Sequence, residues 1–187
     1  IQTALCDSEG NLWFGLFRKG IMYFDSQKQS FRQLFPQELS TTDVRSFFED
    51  RNGLMWISSS NGIYQIDRTS KKIVKHIDIP ENLVRDVIKD TQGRIWVGTG
   101  GSGLSLYDAV EDVFLPVQKL WNLPGDAVTN IQSDKKGNLW LGTNAGLLRL
   151  TVPRDLQNVT YSLYTTSNSL QDNIFNRGAS FVASDGE

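Results

Sequence analysis

The 187-residue chain has one cysteine, Cys6, one histidine, His76, and no apolar run long enough to cross a membrane as a helix. A single cysteine excludes an internal disulfide framework. No histidine or second cysteine lies near Cys6 in sequence to lower its pKa, so it reads as an unreactive thiol and leaves the redox compartment open. One histidine excludes a His-rich metal cluster and any triad that draws on a second imidazole. These residues call for no metal and no cofactor, and chemistry built on two carboxylates stays open. Charge of one sign is scarce as well: 19 basic against 21 acidic residues leave a net charge of -2, with no footprint for nucleic acid or for an anionic membrane surface. No secretory leader is expected within these residues, since Ile1 already falls in the first recognisable strand, and they are expected to carry no address of their own. Windows with the 3.6-residue apolar period of a helix are missing, and glycines interrupt the chain too often to permit one.

What the chain has in quantity is a repeat. DSEGNLWFG from Asp7, DRNGLMWIS from Asp50, DTQGRIWVG from Asp90 and DKKGNLWLG from Asp134 share the frame D-x-x-G-x-x-W. Their tryptophans, Trp13, Trp56, Trp96 and Trp140, lie 43, 40 and 44 residues apart, the length of a propeller blade. Each frame ends a short run, IQTALCD, VRSFFED, VRDVIKD or VTNIQSD, whose apolar first and fourth residues predict a half-buried strand A. Gly10, Gly53, Gly93 and Gly137 permit a tight reversal, which Asp7, Asp50, Asp90 and Asp134 are placed to cap through Asx-type hydrogen bonds. Strand B carries the tryptophan, in NLWFG, LMWIS, RIWVG and NLWLG. After a second glycine turn, strand C follows in IMYFD, IYQID, LSLYD and LLRL, and a less regular strand D in SFRQLF, KIVKHI, DVFLPV and VTYSLYT. Four strands per unit predict an all-β chain. It is a β-propeller segment of about four four-stranded blades, residues 1–43, 44–83, 84–127 and 128–172, with the start of a fifth over 173–187. Blades bury their cores only against neighbours, so the segment is expected to be part of a larger propeller.

Two readings of the repeated residues stand side by side. The aspartates are either turn caps or calcium ligands and acid–base pairs, although the EF-hand spacing is absent. The tryptophans are either blade-to-blade core or a platform for stacking sugars; their identical recurrence among other apolar strand residues favours core. A binding site usually breaks a repeat, so candidate ligand contacts are sought where the copies differ. The D–A and B–C loops are expected at one end of each blade. They hold Thr42, Asp43, Glu81, Asn82, Gly125, Asp126, Asp172 and Asn173, with Arg18, Lys19, Asn61, Ser102 and Asn144, while Arg45 and Arg85 sit second in their A strands. Carboxylates, amides and arginines of this kind bind polyhydroxylated or anionic ligands, the alternative being solvated loop residues. Trp121 lies outside the repeat frame, in KLWNLPGD, and either stacks on a sugar ring or covers a blade edge.

The longer strings DTQGRIWVGTGGSGL and DKKGNLWLGTNAGL, with looser copies DSEGNLWFGLFRKGI and DRNGLMWISSSNGI, resemble the two-component regulator propeller repeat over residues 1 to about 150. Ser58 stands where the repeat has glycine, and Leu16 and Ser59 where it has threonine. The closing FNRGASFVASDGE resembles the atypical last blade of such arrays. WD40 repeats, which show Gly-His and Trp-Asp pairs, and kelch repeats, which show a double glycine with downstream Tyr and Trp, fit less well. The resemblance implies a seven-bladed propeller in the periplasmic sensor region of a hybrid two-component system, of the kind that governs glycan use in gut Bacteroidetes. By the same resemblance the ligand is an oligosaccharide, the covered segment is not an enzyme and does not touch the membrane, and the partners are the remaining blades and a downstream kinase of the same chain, with a homodimer as one assembly. A propeller lyase or glycosidase, and a protein-interaction scaffold, are the alternatives.

Overall fold

The computed structural model describes residues 1–79, 84–176 and 180. Among the described residues sixteen strands form four antiparallel sheets of four. The first holds β1 (Thr3–Cys6), β2 (Leu12–Leu16), β3 (Gly20–Asp25) and β4 (Ser30–Leu34), and the second β5 (Val44–Glu49), β6 (Leu54–Ser59), β7 (Gly62–Asp67) and β8 (Lys72–Ile77). The third holds β9 (Val84–Lys89), β10 (Ile95–Thr99), β11 (Leu104–Asp108) and β12 (Val113–Pro116), and the fourth β13 (Val128–Ser133), β14 (Asn138–Thr143), β15 (Leu147–Thr151) and β16 (Thr160–Tyr164). Every sheet is a meander in chain order, with the A, B, C and D strands where the repeat puts them. One 3-10 turn, Thr166–Asn168, is the sole helical element among the described residues. Most of the expected fifth repeat lies outside the described residues.

The chain divides into two compact units, Ile1–Val87 and Ile88–Glu187, the division falling inside β9. In the first unit a row of cross-strand neighbours, Leu5, Trp13, Tyr23 and Arg32, runs from β1 to β4. Trp13 and Tyr23 are buried with Ile21, Leu39, Val44, Met55, Ile57 and Ile66 in one core contributed by both sheets, with Phe47 packed against it. The indole of Trp13 meets the Tyr23 ring edge-on at 5.2 Å. In the second unit Trp96, Leu106, Val128, Ile131, Leu141, Leu148 and Leu150 form the corresponding core. Each such side chain removed from water contributes roughly 1.5–3 kcal/mol, and the repeat gains that burial by facing one sheet against the next.

Close approach between sheets explains the glycine of strand B. A Cβ on Gly98 would lie 2.8 Å from Val128 Cγ1 and 2.9 Å from the Val128 carbonyl oxygen, and one on Gly15 would meet Val44 as tightly. Ser58, the departure from this rule, is fully buried, and its Oγ lies 2.8 Å from Ser46 Oγ, which accepts the backbone N–H of Val87 at 3.0 Å. Serine is tolerated there because its hydroxyl has a partner.

The threonine that follows closes the B–C turn. Thr99 and Thr143 donate their hydroxyls to the carbonyls of Gly103 and Gly146, and Ser59 does the same to Gly62 at 2.9 Å. Each oxygen also accepts a loop N–H, from Ser102, Ala145 and Asn61 respectively. Serine therefore preserves the turn, whereas Leu16 has no hydroxyl; in that copy the N–H of Gly20 goes to the Thr42 carbonyl.

Candidate functional site

The repeated aspartates are occupied. In all four copies one carboxylate oxygen accepts two turn N–H groups and the other accepts the indole N–H of the tryptophan six residues on. For Asp7 the donors are Glu9 N at 3.0 Å, Asn11 N at 2.8 Å and Trp13 Nε1 at 2.9 Å. The indole distances from Asp50, Asp90 and Asp134 are 3.3, 2.8 and 3.0 Å. The Asx turn is as the sequence predicts; the indole bond is an addition, and it explains why D and W keep a constant spacing. Burial alone pushes the Asp7 carboxyl up, but the Trp13, Asn11 and Glu9 hydrogen bonds together outweigh it and hold the pKa below 3.8. Asp134 is lowered in the same way, burial being opposed chiefly by Asn138 and Trp140. Carboxylates tied to their own turn make poor metal ligands, and among the described residues no group of three or more His, Cys, Asp or Glu could hold an ion.

The tryptophans differ in environment although their frame is the same. Trp13 and Trp96 are fully buried and Trp56 is nearly so, stacked on Phe48. Trp140 is half-buried, stacked on Tyr164 at 5.9 Å with Arg149 over its ring. Trp121 lies beside Trp96, ring centres 6.0 Å apart, against the second unit's core.

Within each unit the D–A and B–C loops meet. In the first, the N–H of Arg18 donates to Asp43 Oδ1 at 2.9 Å, the N–H of Asp43 donates to the Ser60 hydroxyl, the N–H of Ser60 donates to the Asp43 carbonyl, and Asn61 Nδ2 donates to the Thr42 hydroxyl. Arg45 donates to the Val84 carbonyl and stands 3.7 Å from Asp43, with both side chains largely buried. In the second, Asn144 accepts the N–H groups of Asp126 and Ala127 and donates to Asp126 Oδ1 at 2.8 Å. Arg85 is half-buried on β9, and Asn82 lies outside the described residues.

The second unit's loops enclose a cleft of about 230 Å³ lined by Gly101, Ser102, Gln118, Lys119, Asn122, Leu123, Gly125 and Asp126. Gln118 organises it. Its buried amide accepts the N–H of Leu104 at 3.1 Å and donates to the carbonyls of Leu123, Pro124 and Gly125. That rigid loop presents exposed Lys119, Asn122 and Asp126 beside Ser102, a set of donors and acceptors suited to hydroxyl groups. Sequence reading reached Ser102, Gly125 and Asp126 through their loop positions but missed Gln118, Lys119 and Asn122, which have no counterpart in the repeat frame to flag them. The left-handed backbone of Asn122, φ 48°, is the trace of that irregular loop.

Sheets of this order and register are propeller blades. Residues 38–61, 78–101 and 122–145 match the two-component regulator propeller family. The chain is 31% identical to a protein described as the extracellular domain of the hybrid two component system BT3049 from B. thetaiotaomicron, over 90% of this chain and 23% of that one, with a TM-score of 0.77. The extracellular domain of the BT4673 system of that organism matches at 16% identity and TM-score 0.69, over 88% of this chain and 24% of that one. Virginiamycin B lyase from Staphylococcus aureus shares the fold at 16% identity and TM-score 0.66, over 88% of this chain and 56% of that one. The chain thus spans about a quarter of the two-component proteins it resembles. Comparison with curated proteins finds no match. No described helix is long and apolar enough to cross a membrane.

Proposed function

We propose that this chain is a non-catalytic, ligand-sensing segment of the periplasmic domain of a hybrid two-component sensor kinase, and that its ligand is an oligosaccharide. The observation that carries this reading is the 31% identity, over 90% of the chain, to an extracellular domain of such a system. The second unit's cleft supports it chemically: Asp126, Asn122, Lys119 and Ser102 offer carboxylate, amide, ammonium and hydroxyl groups within one 230 Å³ space. Signalling to a kinase, homodimer formation and docking of further blades belong to the same reading. Calorimetric titration with oligosaccharides from plant and host glycans tests it. Saturable binding that is lost in Asp126→Ala and kept in Asp43→Ala supports the cleft; no heat from any glycan in the intact sensor removes the ligand class.

A propeller enzyme is the second reading, favoured by the fold shared with virginiamycin B lyase. The single histidine does not serve it, since His76 lies on the outer strand β8, stacked on Tyr64 at 4.2 Å. Turnover of a bound glycan, abolished by Asp126→Asn, would establish this reading over the first.

A further inference from the structure

The first unit has a second cleft, of about 490 Å³, between the outer strand β4 with the loop after it and the β7–β8 turn. Its lining includes Arg32, Gln33, Gln37, Glu38, Ser70 and Lys71. Two cations meet there over one aromatic ring: Arg32 Cζ is 5.2 Å and Lys71 Nζ 4.4 Å from the centre of Tyr23, and Lys71 also lies 5.0 Å from the centre of Trp13. Among the described residues neither cation has a carboxylate within ion-pair distance; Lys71 donates to the Arg68 carbonyl, and Arg32 has only the Tyr23 ring.

Arg32 is exposed and Lys71 half-buried, and two like charges brought this close repel unless something compensates them. The aromatic faces do so in part. Burial, and then the charges of Arg32 and Arg68, lower the pKa of Lys71 against the opposing fields of Asp7 and Glu9. The pair also breaks the repeat. In the second unit the row across the sheet from Trp96 runs through Leu106 to Leu115, and the turn residue packed on that core is Leu156. Apolar side chains there suffice for the fold.

We propose that this cleft is an anion-binding site, in which Arg32 and Lys71 take the carboxylate or sulfate group of a small hydroxylated ligand while Ser70, Gln37 and Glu38 meet its hydroxyls. It is distinct from the second unit's cleft and holds or fails independently of it.

Calorimetric titration of the 187-residue chain with sodium sulfate and with sodium glucuronate, at fixed ionic strength and with glucose as neutral control, tests the site. At least one anion is expected to bind saturably, with affinity reduced about tenfold or more in Arg32→Gln, and glucose is expected not to bind. Sulfate alone identifies a sulfated ligand; glucuronate alone, a carboxylated one. Because Lys71 covers Trp13 and its replacement risks the fold, Lys71 is followed in the intact protein through its ε-carbon NMR shift, which must move as the anion is added. Absence of saturable binding by both anions overturns the proposal. So do affinity unchanged in Arg32→Gln, equal binding of glucose, or a stationary Lys71 resonance.

Discussion

The indole nitrogen of Trp96 donates to Oδ2 of Asp90 across 2.8 Å, and both side chains are buried. The same oxygen accepts Arg94 Nε at 2.6 Å, and Arg94 reaches on to the carbonyls of Val152 and Pro153. One carboxylate thus ties a turn, a core aromatic and the far end of β15 together, and its loss should be felt well beyond the turn.

Truncating the equivalent Asp7 to alanine leaves the Trp13 indole N–H and two turn N–H groups without their acceptor. Hydrogen bonds to a charged partner contribute about 1.5–3 kcal/mol each, so the first unit should lose at least 2 kcal/mol. Urea unfolding followed by hydrogen exchange at Trp13 Nε1 measures it. Trp13→Phe, which keeps the carboxylate but empties core volume, should cost a comparable amount by a different route.

Acid should expose the same bonds. Asp7 and Asp134 have folded-state pKa values below 3.8, so the stability they contribute is complete above that value and is lost as pH falls through the folded-state values. Denaturant midpoints should therefore hold steady from neutral pH down to about 5 and fall below about 4. Asp7→Asn should flatten part of that decline, and a decline of unchanged steepness would show that Asp7 is not among its causes.

Gly98→Ala places a methyl group 2.8 Å from Val128 Cγ1 and 2.9 Å from a backbone oxygen that cannot swing aside. Overpacking of this kind costs about 1–3 kcal/mol. Thermal melts of Gly98→Ala and Ser58→Gly should both fall, the second because Ser46 loses its hydroxyl partner.

Thr143→Val keeps the shape of the B–C turn while removing the hydroxyl that bonds the Gly146 carbonyl at 2.7 Å and accepts Ala145 N. A loss of about 1 kcal/mol is expected in equilibrium unfolding. Leu16→Thr restores the missing hydroxyl in the first copy and should cost less than Thr143→Val.

Much of this was readable in advance because the signal is local and repeated. The strand positions follow from alternation and turn glycines, and the four copies vote together, so SFRQLF and DVFLPV, irregular on their own, still fall on β4 and β12. The meeting of D–A and B–C loops follows from the same meander. Partners were less readable. A carboxylate six residues before a tryptophan is compatible with many geometries, and only the hairpin's register brings Oδ2 to Nε1. Gln118 looks like any loop glutamine until its amide is seen bridging four backbone groups. Trp121 could have faced solvent or a core, and packing against Trp96 decides it.

The sequence by itself determined the blade: four short strands, a capped turn and an apolar row, since each depends on residues close in the chain and on backbone geometry common to every copy. Only the tertiary structure decided which side chains stand together from different strands and loops. Arg32 and Lys71 over Tyr23, or Asp126 against Asn144, are joined by sheet packing and loop closure across many residues, and no local pattern encodes that distance.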